Sequence, residues 1–188
     1  MAESAEDTTE AAARMGPIEG GGLAVRVEEA MCAASLRYFE PEGALAAAVR
    51  EATGVALPKP LEVARSADGA LILAWRSPTE TLLLTPNAQR LDELESRLTG
   101  SPEGCLVNLT GGLKVLRVTG ERPAELLRRL GGTASVPRPG EARRSRLADV
   151  AVVALCAGSG EVLLLVDRAY AEHLLGWIRE TLLDFTDG

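Results

Sequence analysis

The chain has 188 residues, of which 46% are hydrophobic and 25% are charged, a balance that is ordinary for a folded protein and excludes disorder along the whole length. Its formal net charge of -7 argues against nucleic acid as the main partner, because phosphate binding needs a basic surface. The longest apolar runs, at residues 71–75 and 150–157, are far shorter than the ~20 residues of a membrane-spanning helix, so no membrane partner is expected.

Residues 1–22 consist mainly of Ala, Glu, Thr and Gly, with almost nothing large to bury, and they end in three glycines. This composition predicts a disordered or loosely attached acidic leader, so that the folded part begins near Leu23. Acidic residues also stand where a secretory signal would carry basic ones, which predicts a cytoplasmic protein.

The first half of the folded part, residues 23–100, alternates extended and helical patterns. Residues 23–27 and 33–39 are predicted as a strand pair, and Pro41 suits the first turn of a helix that Gly54 ends. After a proline-bounded loop, residues 71–75 and 81–85 are predicted to form a hairpin, and Asn87 can cap a second helix. The apolar stripes of the two helices are Leu45, Ala48, Val49 and Ala52, and Leu91, Leu94 and Leu98.

The second half, residues 101–188, repeats this order at an offset of about eighty residues, which indicates an internal duplication. Strands at 105–109 and 113–118 flank a glycine turn, Pro123 opens a helix, residues 150–156 and 162–166 form a hairpin, and the last helix spans 168–183. Glu80 falls on Glu161, and Arg37 falls on Arg117. The predicted fold is α+β, with two tandem ferredoxin-like halves. Each half is an antiparallel sheet with helices on one face, and the two sheets share a core.

No catalytic or nucleotide-binding motif is present, since the sequence lacks a phosphate loop, a GxGxxG after a strand and a metalloprotease helix. Lys114 is predicted to be a surface strand lysine. The single histidine, His173, points away from the stripe of the last helix, where a general base lacks burial and an orienting partner. Cys32, Cys105 and Cys156 have no CxxC spacing and are expected to be buried reduced thiols. We therefore predict no catalytic, cofactor-binding or metal-binding residues in this chain.

The last helix is predicted to carry three rings on its outward face. Tyr170, His173 and Trp177 stand at i, i+3 and i+7, opposite the leucine stripe. In a chain with only 3% aromatic residues this is unexpected for a monomer, so we predict an interface with a larger partner. Three arginines of the basic stretch 122–146 are candidates for the same interface: Arg143, Arg144 and Arg146. The alternatives are that a loop or the leader covers the rings, that they lie at the edge of the stripe, or that the basic stretch is a solvated face.

Several tracts resemble known families. Residues 107–110, 115–120 and 124–130 resemble the "V-D-L-S, then strand, then G-x-x-A-x-x-L-L" stretch of the aminomethyltransferase-like proteins, which include the T-protein of the glycine cleavage system. Residues 75–84 resemble the "W-L-G-P-D-E-W-L-L-L" hairpin of the sarcosine oxidase gamma subunit family, and residues 161–174 its "L-L-V-x-R-S-Y-A-x-x-L-x-x-W-L" ending. The resemblance covers residues 23–183. Asn108 replaces the aspartate of the first motif, and Thr81 replaces the second tryptophan of the hairpin.

The resemblance implies a non-catalytic chain that helps to assemble a flavoenzyme of four unlike subunits, which oxidatively demethylates a secondary amine such as sarcosine. Its partners would be alpha, beta and delta subunits. The alpha and beta subunits would carry FAD, FMN, NAD and a tetrahydrofolate-accepting domain, and delta a small zinc site. The gamma chain would have an aminomethyltransferase folate-binding-domain-like fold without a cofactor of its own.

The alternative is a stand-alone folate-binding or C1-transfer protein with the same fold. A carboxylate projecting into the central hole between the halves would favour it, because the N–H donors of the pterin ring need an acceptor. Asn108 occupies the position where an acid was most expected, which favours the subunit interpretation.

Overall fold

The computed structural model describes residues 15–158 and 160–185, which form eleven β-strands and four α-helices. The strands are β1 (Ile18–Gly20), β2 (Leu23–Val27), β3 (Cys32–Tyr38), β4 (Val63–Arg65), β5 (Ile72–Ser77), β6 (Glu80–Thr85), β7 (Gly104–Asn108), β8 (Leu113–Gly120), β9 (Ala142–Leu147), β10 (Val150–Gly158) and β11 (Glu161–Asp167). The helices are α1 (Ala44–Thr53), α2 (Ala88–Leu98), α3 (Pro123–Gly131) and α4 (Arg168–Leu183).

Two antiparallel sheets lie back to back in the centre of the molecule. The five-stranded sheet has the order β4-β5-β6-β3-β7 and is covered by α1 and α2, and together they form the first lobe. The six-stranded sheet has the order β1-β2-β8-β11-β10-β9 and is covered by α3 and α4, which completes the second lobe. The predicted α+β fold, with antiparallel sheets and helices on one face of each, is therefore confirmed.

Three apolar layers form the core, one inside each lobe and one between the two sheets. Successive strand residues point to opposite faces of a sheet. Leu83 and Leu164 accordingly pack against the helices of their own lobes, whereas Leu82 and Leu163 pack between the two sheets. The layer between the sheets is the shared core that the sequence predicts, and each fully buried leucine there contributes about 1.5–3 kcal/mol.

The lobes have the same strand order, but each contains a strand from the other half of the sequence. β7 pairs with β3 in the first lobe, and β2 pairs with β8 in the second. The predicted strand pairs, 23–27 with 33–39 and 105–109 with 113–118, are therefore wrong. The reason is that an alternating apolar pattern specifies which face a strand buries, not which strand it pairs with. The division at 100/101 separates β7 from the five-stranded sheet, and β1 and β2 from the six-stranded sheet.

The folded body begins before the predicted boundary. β1 pairs with β2, and Ile18 is buried in the core of the second lobe, so the predicted leader is wrong for residues 18–22. Gly21 and Gly22, with φ of 55° and 73°, form the two-residue turn between these strands. Two successive residues with positive φ suit the right-handed twist of a hairpin, so this glycine run is a tight turn. The prediction for residues 1–14 lies outside the described residues.

The two lobes meet at a local pseudo-twofold axis. Val63 N–H donates to the carbonyl of Gly140, and Ala142 N–H donates to the carbonyl of Leu61, both at 2.8 Å. Val63 and Ala142 occupy equivalent positions in the strand pairing of the two lobes. The two hydrogen bonds are therefore reciprocal, because each lobe donates one equivalent bond to the other. The segments involved lead into β4 and β9, two edge strands that the sequence did not predict.

A glutamate stabilises the turn that precedes each of these strands. Glu62 Oε2 accepts from the backbone N–H of Lys59 (3.1 Å), and Glu141 Oε2 accepts from that of Arg138 (3.0 Å). The Nε of Arg143 also donates to Glu141 (2.8 Å). The hydrogen bond from Arg143, with that from the Arg138 backbone, holds the pKa of Glu141 below its ordinary value. The charged carboxylate of Glu141 thus stabilises the segment that connects the two lobes through hydrogen bonds.

The strand pairing corrects one predicted match between residues of the two halves. Glu161 contacts the guanidinium of Arg117 (2.5 Å), and its counterpart Glu80 accepts a hydrogen bond from Ser35 Oγ (2.6 Å). Ser35 therefore occupies the place of Arg117, and the predicted match of Arg37 with Arg117 is two residues out of register.

Candidate partner-docking face

Helix α4 has the two faces that the sequence predicts. Asp167 caps its first turn by accepting from the N–H of Ala169 (2.9 Å). The residues of the predicted stripe are all buried: Ala171, Leu174, Leu175, Ile178 and Leu182. On the opposite side His173 is exposed, and 56% of Tyr170 and 52% of Trp177 are exposed. The predicted helix register is therefore correct, and within the described residues the three rings are not covered.

Two of the rings line a groove of about 360 Å³ between α4, α3 and the turn that joins β9 to β10. Trp177 and His173 form one wall, and Ala148 and Asp149 of the turn lie opposite. The turn is fastened to α3, because Ala148 N–H donates to the carbonyl of Leu130 (2.9 Å). This hydrogen bond holds the turn against α3, and Tyr170 lies on the same face of α4 beyond the groove.

The charges around this groove are held within the chain. Arg129, a lining residue, pairs with Glu125 (2.9 Å) and stacks on the buried ring of Phe185, 4.3 Å from its centroid. The carboxylate of Asp149, another lining residue, is fully exposed and lies 3.9 Å from the guanidinium of Arg146. Because Arg129 and Asp149 each have an oppositely charged partner in the chain, an apolar side chain could enter the groove beside Trp177 without leaving either charge unpaired.

The structure brings only part of the predicted arginine set to this face. Arg146 contacts Asp149 at the rim of the groove. Arg143 and Arg144 lie farther along β9, and successive strand residues alternate, so Arg143 lies on the opposite face of β9 from Arg144 and Arg146. Arg143 is also engaged by Glu141. The three arginines therefore do not form one patch, because side chains alternate between the two faces of a strand. The sequence did not predict that these residues form strand β9.

The remaining predicted residues are placed as follows. Cys32 and Cys156 are buried free thiols, as expected, but Cys105 is exposed because β7 is an edge strand. Lys114 is a half-buried strand lysine that pairs with Glu29 (2.6 Å). Asn108 accepts from the N–H of Thr110 (2.9 Å) in a local turn. Among the described residues, no group of three or more His, Cys, Asp or Glu side chains is placed to hold a metal ion.

Two further surface features were missed by sequence reasoning, and both lie on the first lobe. A groove of about 880 Å³ lies between α1 and the loop at Pro58 and Pro60, with Trp75 in its wall. A second groove, of about 600 Å³, is lined by Phe39, which is 76% exposed, and by residues of β7. The sequence could have indicated the exposure of Phe39. A large apolar residue that directly follows a strand and precedes a helix belongs to the apolar face of neither element, so its burial does not follow from the pattern.

Comparison with known proteins identifies the family. A family model described as "Sarcosine oxidase, gamma subunit family" matches residues 39–183. The chain belongs to this family. Its resemblance to sarcosine oxidase gamma subunits, read from the residues above, is confirmed.

Individual gamma subunits and solved structures agree with this assignment. The sarcosine oxidase subunit gamma of Corynebacterium sp. (strain U-96) is 30% identical over 145 residues, covering 74% of this chain and 70% of its own. That of Arthrobacter sp is 29% identical over 150 residues, covering 77% and 73%. In three dimensions the chain is similar to the heterotetrameric sarcosine oxidase from Corynebacterium sp. U-96 in complex with pyrrole 2-carboxylate, with a TM-score of 0.80, 26% identity, and coverage of 95% of this chain and 93% of that chain.

The likeness extends to the aminomethyltransferase fold. Glycine cleavage system aminomethyltransferase T from Bartonella henselae matches with a TM-score of 0.56 and 17% identity, covering 84% of this gamma-subunit family member and 46% of that chain. At this identity the match shows the fold alone.

The described helices all fall short of the length and apolar character that a membrane-spanning helix requires.

Proposed function

We propose that this chain is the gamma subunit of a heterotetrameric sarcosine oxidase-like flavoenzyme and that it serves assembly and not catalysis. The observation that carries the proposal is its likeness, over 95% of its length, to the heterotetrameric sarcosine oxidase of Corynebacterium. The exposed rings of α4 and the groove beside Trp177 support a docking role, since ring clusters outside the core tend to anchor interfaces.

The partners in this proposal are alpha, beta and delta subunits. They would carry FAD, FMN, NAD and tetrahydrofolate, and the gamma chain would hold none of these groups. The face formed by Tyr170, His173 and Trp177, with Arg146 at its rim, would dock on a large flavin-bearing subunit. The cytoplasmic location stays a prediction of the sequence.

The test is co-expression of this chain, carrying an affinity tag, with the alpha, beta and delta subunits encoded by the same organism. We expect four chains and visible flavin absorbance to elute together, and the complex to oxidise sarcosine, while the tagged chain alone elutes colourless. The proposal would be wrong if the other three subunits formed an active enzyme that left this chain behind, or if the chain alone retained flavin.

Folate binding by the isolated chain is less well supported by the geometry. A cavity of about 230 Å³ between the sheets contains Glu161, and it is smaller than the 300–1,000 Å³ that is common for ligand sites. Arg117 already engages Glu161 (2.5 Å) and Glu28 (2.6 Å). Burial alone would lower the pKa of Arg117, but the hydrogen bond and charge of Glu28 and the charge of Glu161 outweigh burial and raise it. The two carboxylates thus have a permanent cationic partner and are not free to hold a pterin ring.

A further inference from the structure

Strand β7 ends the five-stranded sheet, and within the described residues no strand lies on its outer side. Phe39 N–H donates to the carbonyl of Glu103 (3.2 Å), and Leu109 N–H donates to the carbonyl of Ala33 (2.8 Å). Inward and outward backbone groups alternate along an antiparallel strand, so the N–H and C=O of Leu106 point away from the sheet. The centre of β7 therefore presents backbone hydrogen-bonding groups without a strand partner.

The equivalent edge of the second lobe is covered. β2 holds the place in that lobe that β7 holds in the first, and Val25 is the counterpart of Leu106 in the ladder. β1 pairs antiparallel with β2 and sets Ile18 opposite Val25. With this cover Val25 is completely buried, and Ile18 is 6% exposed. Leu106, which lacks such a neighbour, stays half-buried against the core of the first lobe.

We propose that the outer edge of β7 receives an extended segment of another subunit, which pairs antiparallel with β7 and sets an apolar side chain beside Leu106. The segment does for the first lobe what β1 does for the second. It completes a sixth strand and closes the core at its exposed margin. This inference rests on the proposed function, because it takes its partner from the same complex.

The surroundings of the edge fit such a segment. β7 carries neither the lysine nor the proline with which exposed edges commonly prevent pairing. Val107 is 37% exposed, Cys105 is exposed, and the groove lined by Phe39 opens beside them. In strand addition, backbone bonds supply affinity, and pockets for alternate side chains supply specificity. The groove beside Cys105 is placed to take a side chain of the added strand on the face opposite Leu106.

The length of the edge favours another subunit over a second copy of this chain. β7 has only five residues, and an isolated pair of strands is marginally stable in water. A homodimer held by this contact alone would bury far less than the ~1,200 Å² of a stable interface. A subunit that is already docked elsewhere on the chain needs no such area, because its segment binds at high effective concentration.

Amide hydrogen exchange of the free chain and of the purified complex tests the proposal residue by residue. We expect the amides of Gly104, Leu106 and Asn108 to exchange rapidly in the free chain and to slow on the order of tenfold or more in the complex. The amide of Val25 is the internal control, because β1 covers it and its exchange should be slow in both.

A pair of variants at one position tests the backbone contact. Leu106→Pro removes the outward N–H, and proline is tolerated on an edge strand whose N–H faces outward. Leu106→Ala keeps the N–H while shortening the side chain. We expect Leu106→Pro to bind the alpha, beta and delta subunits about tenfold more weakly than Leu106→Ala. The reason is that proline cannot donate the backbone hydrogen bond that holds the added strand in register with β7. Melting of each free variant confirms that it is folded.

The outcomes separate the possible occupants. A complex in which the outward amides of β7 exchange as fast as in the free chain overturns the proposal and leaves the proposed function intact. Protection in the free chain that disappears when the chain starts at Met15 would make residues 1–14 the occupant, and protection that grows with concentration would make it a second copy. Either result overturns the assignment to another subunit. If the unmodified chain forms no complex, the proposed function fails, and this inference fails with it.

Discussion

Leu61 and Gly140 lie at equivalent positions beside the pseudo-twofold axis, and both have a left-handed backbone, with φ of 67° and 80°. A residue with a side chain loses about 1–2 kcal/mol in this conformation, whereas glycine adopts it freely. The carbonyls of both residues accept the reciprocal bonds between the lobes. The first lobe therefore bears a strain at Leu61 that the second lobe avoids.

This difference predicts the effect of Gly140→Ala. A Cβ at this position would meet no atom within 4 Å, so only the backbone conformation opposes the change. We expect a loss of about 1 kcal/mol in the free energy of unfolding, measured by urea denaturation. Gly176→Ala is the control, since Gly176 lies inside α4, also has open space, and should gain about 0.5–1 kcal/mol. Equal effects at both positions would contradict the argument.

Trp177 is the residue on which the docking face can be tested most directly. Trp177→Ala should leave the melting temperature of the free chain nearly unchanged, because half of the side chain is exposed. It should weaken assembly by about 2 kcal/mol, or roughly 30-fold, if the ring is an interface anchor. Leu174→Ala, on the buried face of the same helix, should instead cost about 2–5 kcal/mol of stability. Co-purification with titrated partner subunits measures the first effect. If Trp177→Ala assembles as well as the unmodified chain, Trp177 does not lie in the interface.

At the scale of elements, β1 shows how three residues can close a core. Ile18 packs with the buried residues of the second lobe, and Gly20 lies close to Leu182 at the end of α4. The strand thus ties the beginning of the described chain to its last helix.

This role predicts that Ile18→Ala costs about 2–3 kcal/mol in the free energy of unfolding, at the lower end for a buried isoleucine because β1 is an edge strand. Glu19→Ala, the next residue and an exposed one, should change stability by less than about 0.5 kcal/mol. Chemical denaturation of the two variants gives the comparison. If Ile18→Ala were as mild as Glu19→Ala, β1 would not contribute to the core.

At the scale of the whole molecule, the exchange of β2 and β7 makes each lobe depend on the other. A fragment of residues 1–100 lacks β7, and a fragment of residues 101–188 lacks β1 and β2. Each fragment would also expose the apolar layer between the sheets. The two halves therefore share strands as well as a core.

The exchange predicts that neither fragment unfolds cooperatively by itself. Fragments of this size bury little surface, and each would lose at least one strand of its sheet. Mixed in equal amounts, they should recover the circular dichroism spectrum and a single thermal transition. A sharp transition of residues 101–188 alone would show that β2 is dispensable for the second lobe.

The sequence by itself determined the features that depend on local order. The apolar stripes of α1, α2 and α4, the hairpins at β5–β6 and β10–β11, and the outward rings of α4 all follow from periods of 3.6 and 2 residues. The order of elements repeats in both halves, and the tracts around Trp75 and Glu161 were sufficient to indicate the gamma-subunit family.

The tertiary structure alone decided which strands pair. β2 and β7 have no local signal for a partner in the opposite lobe. β9 was missed because its turn residues, Ala148 and Asp149, adopt positive φ without the usual Asn-Gly sequence. Every residue except proline offers the same backbone N–H and C=O groups, so strand partners are selected by the burial of whole faces. That burial is settled only when both sheets and all four described helices are in place.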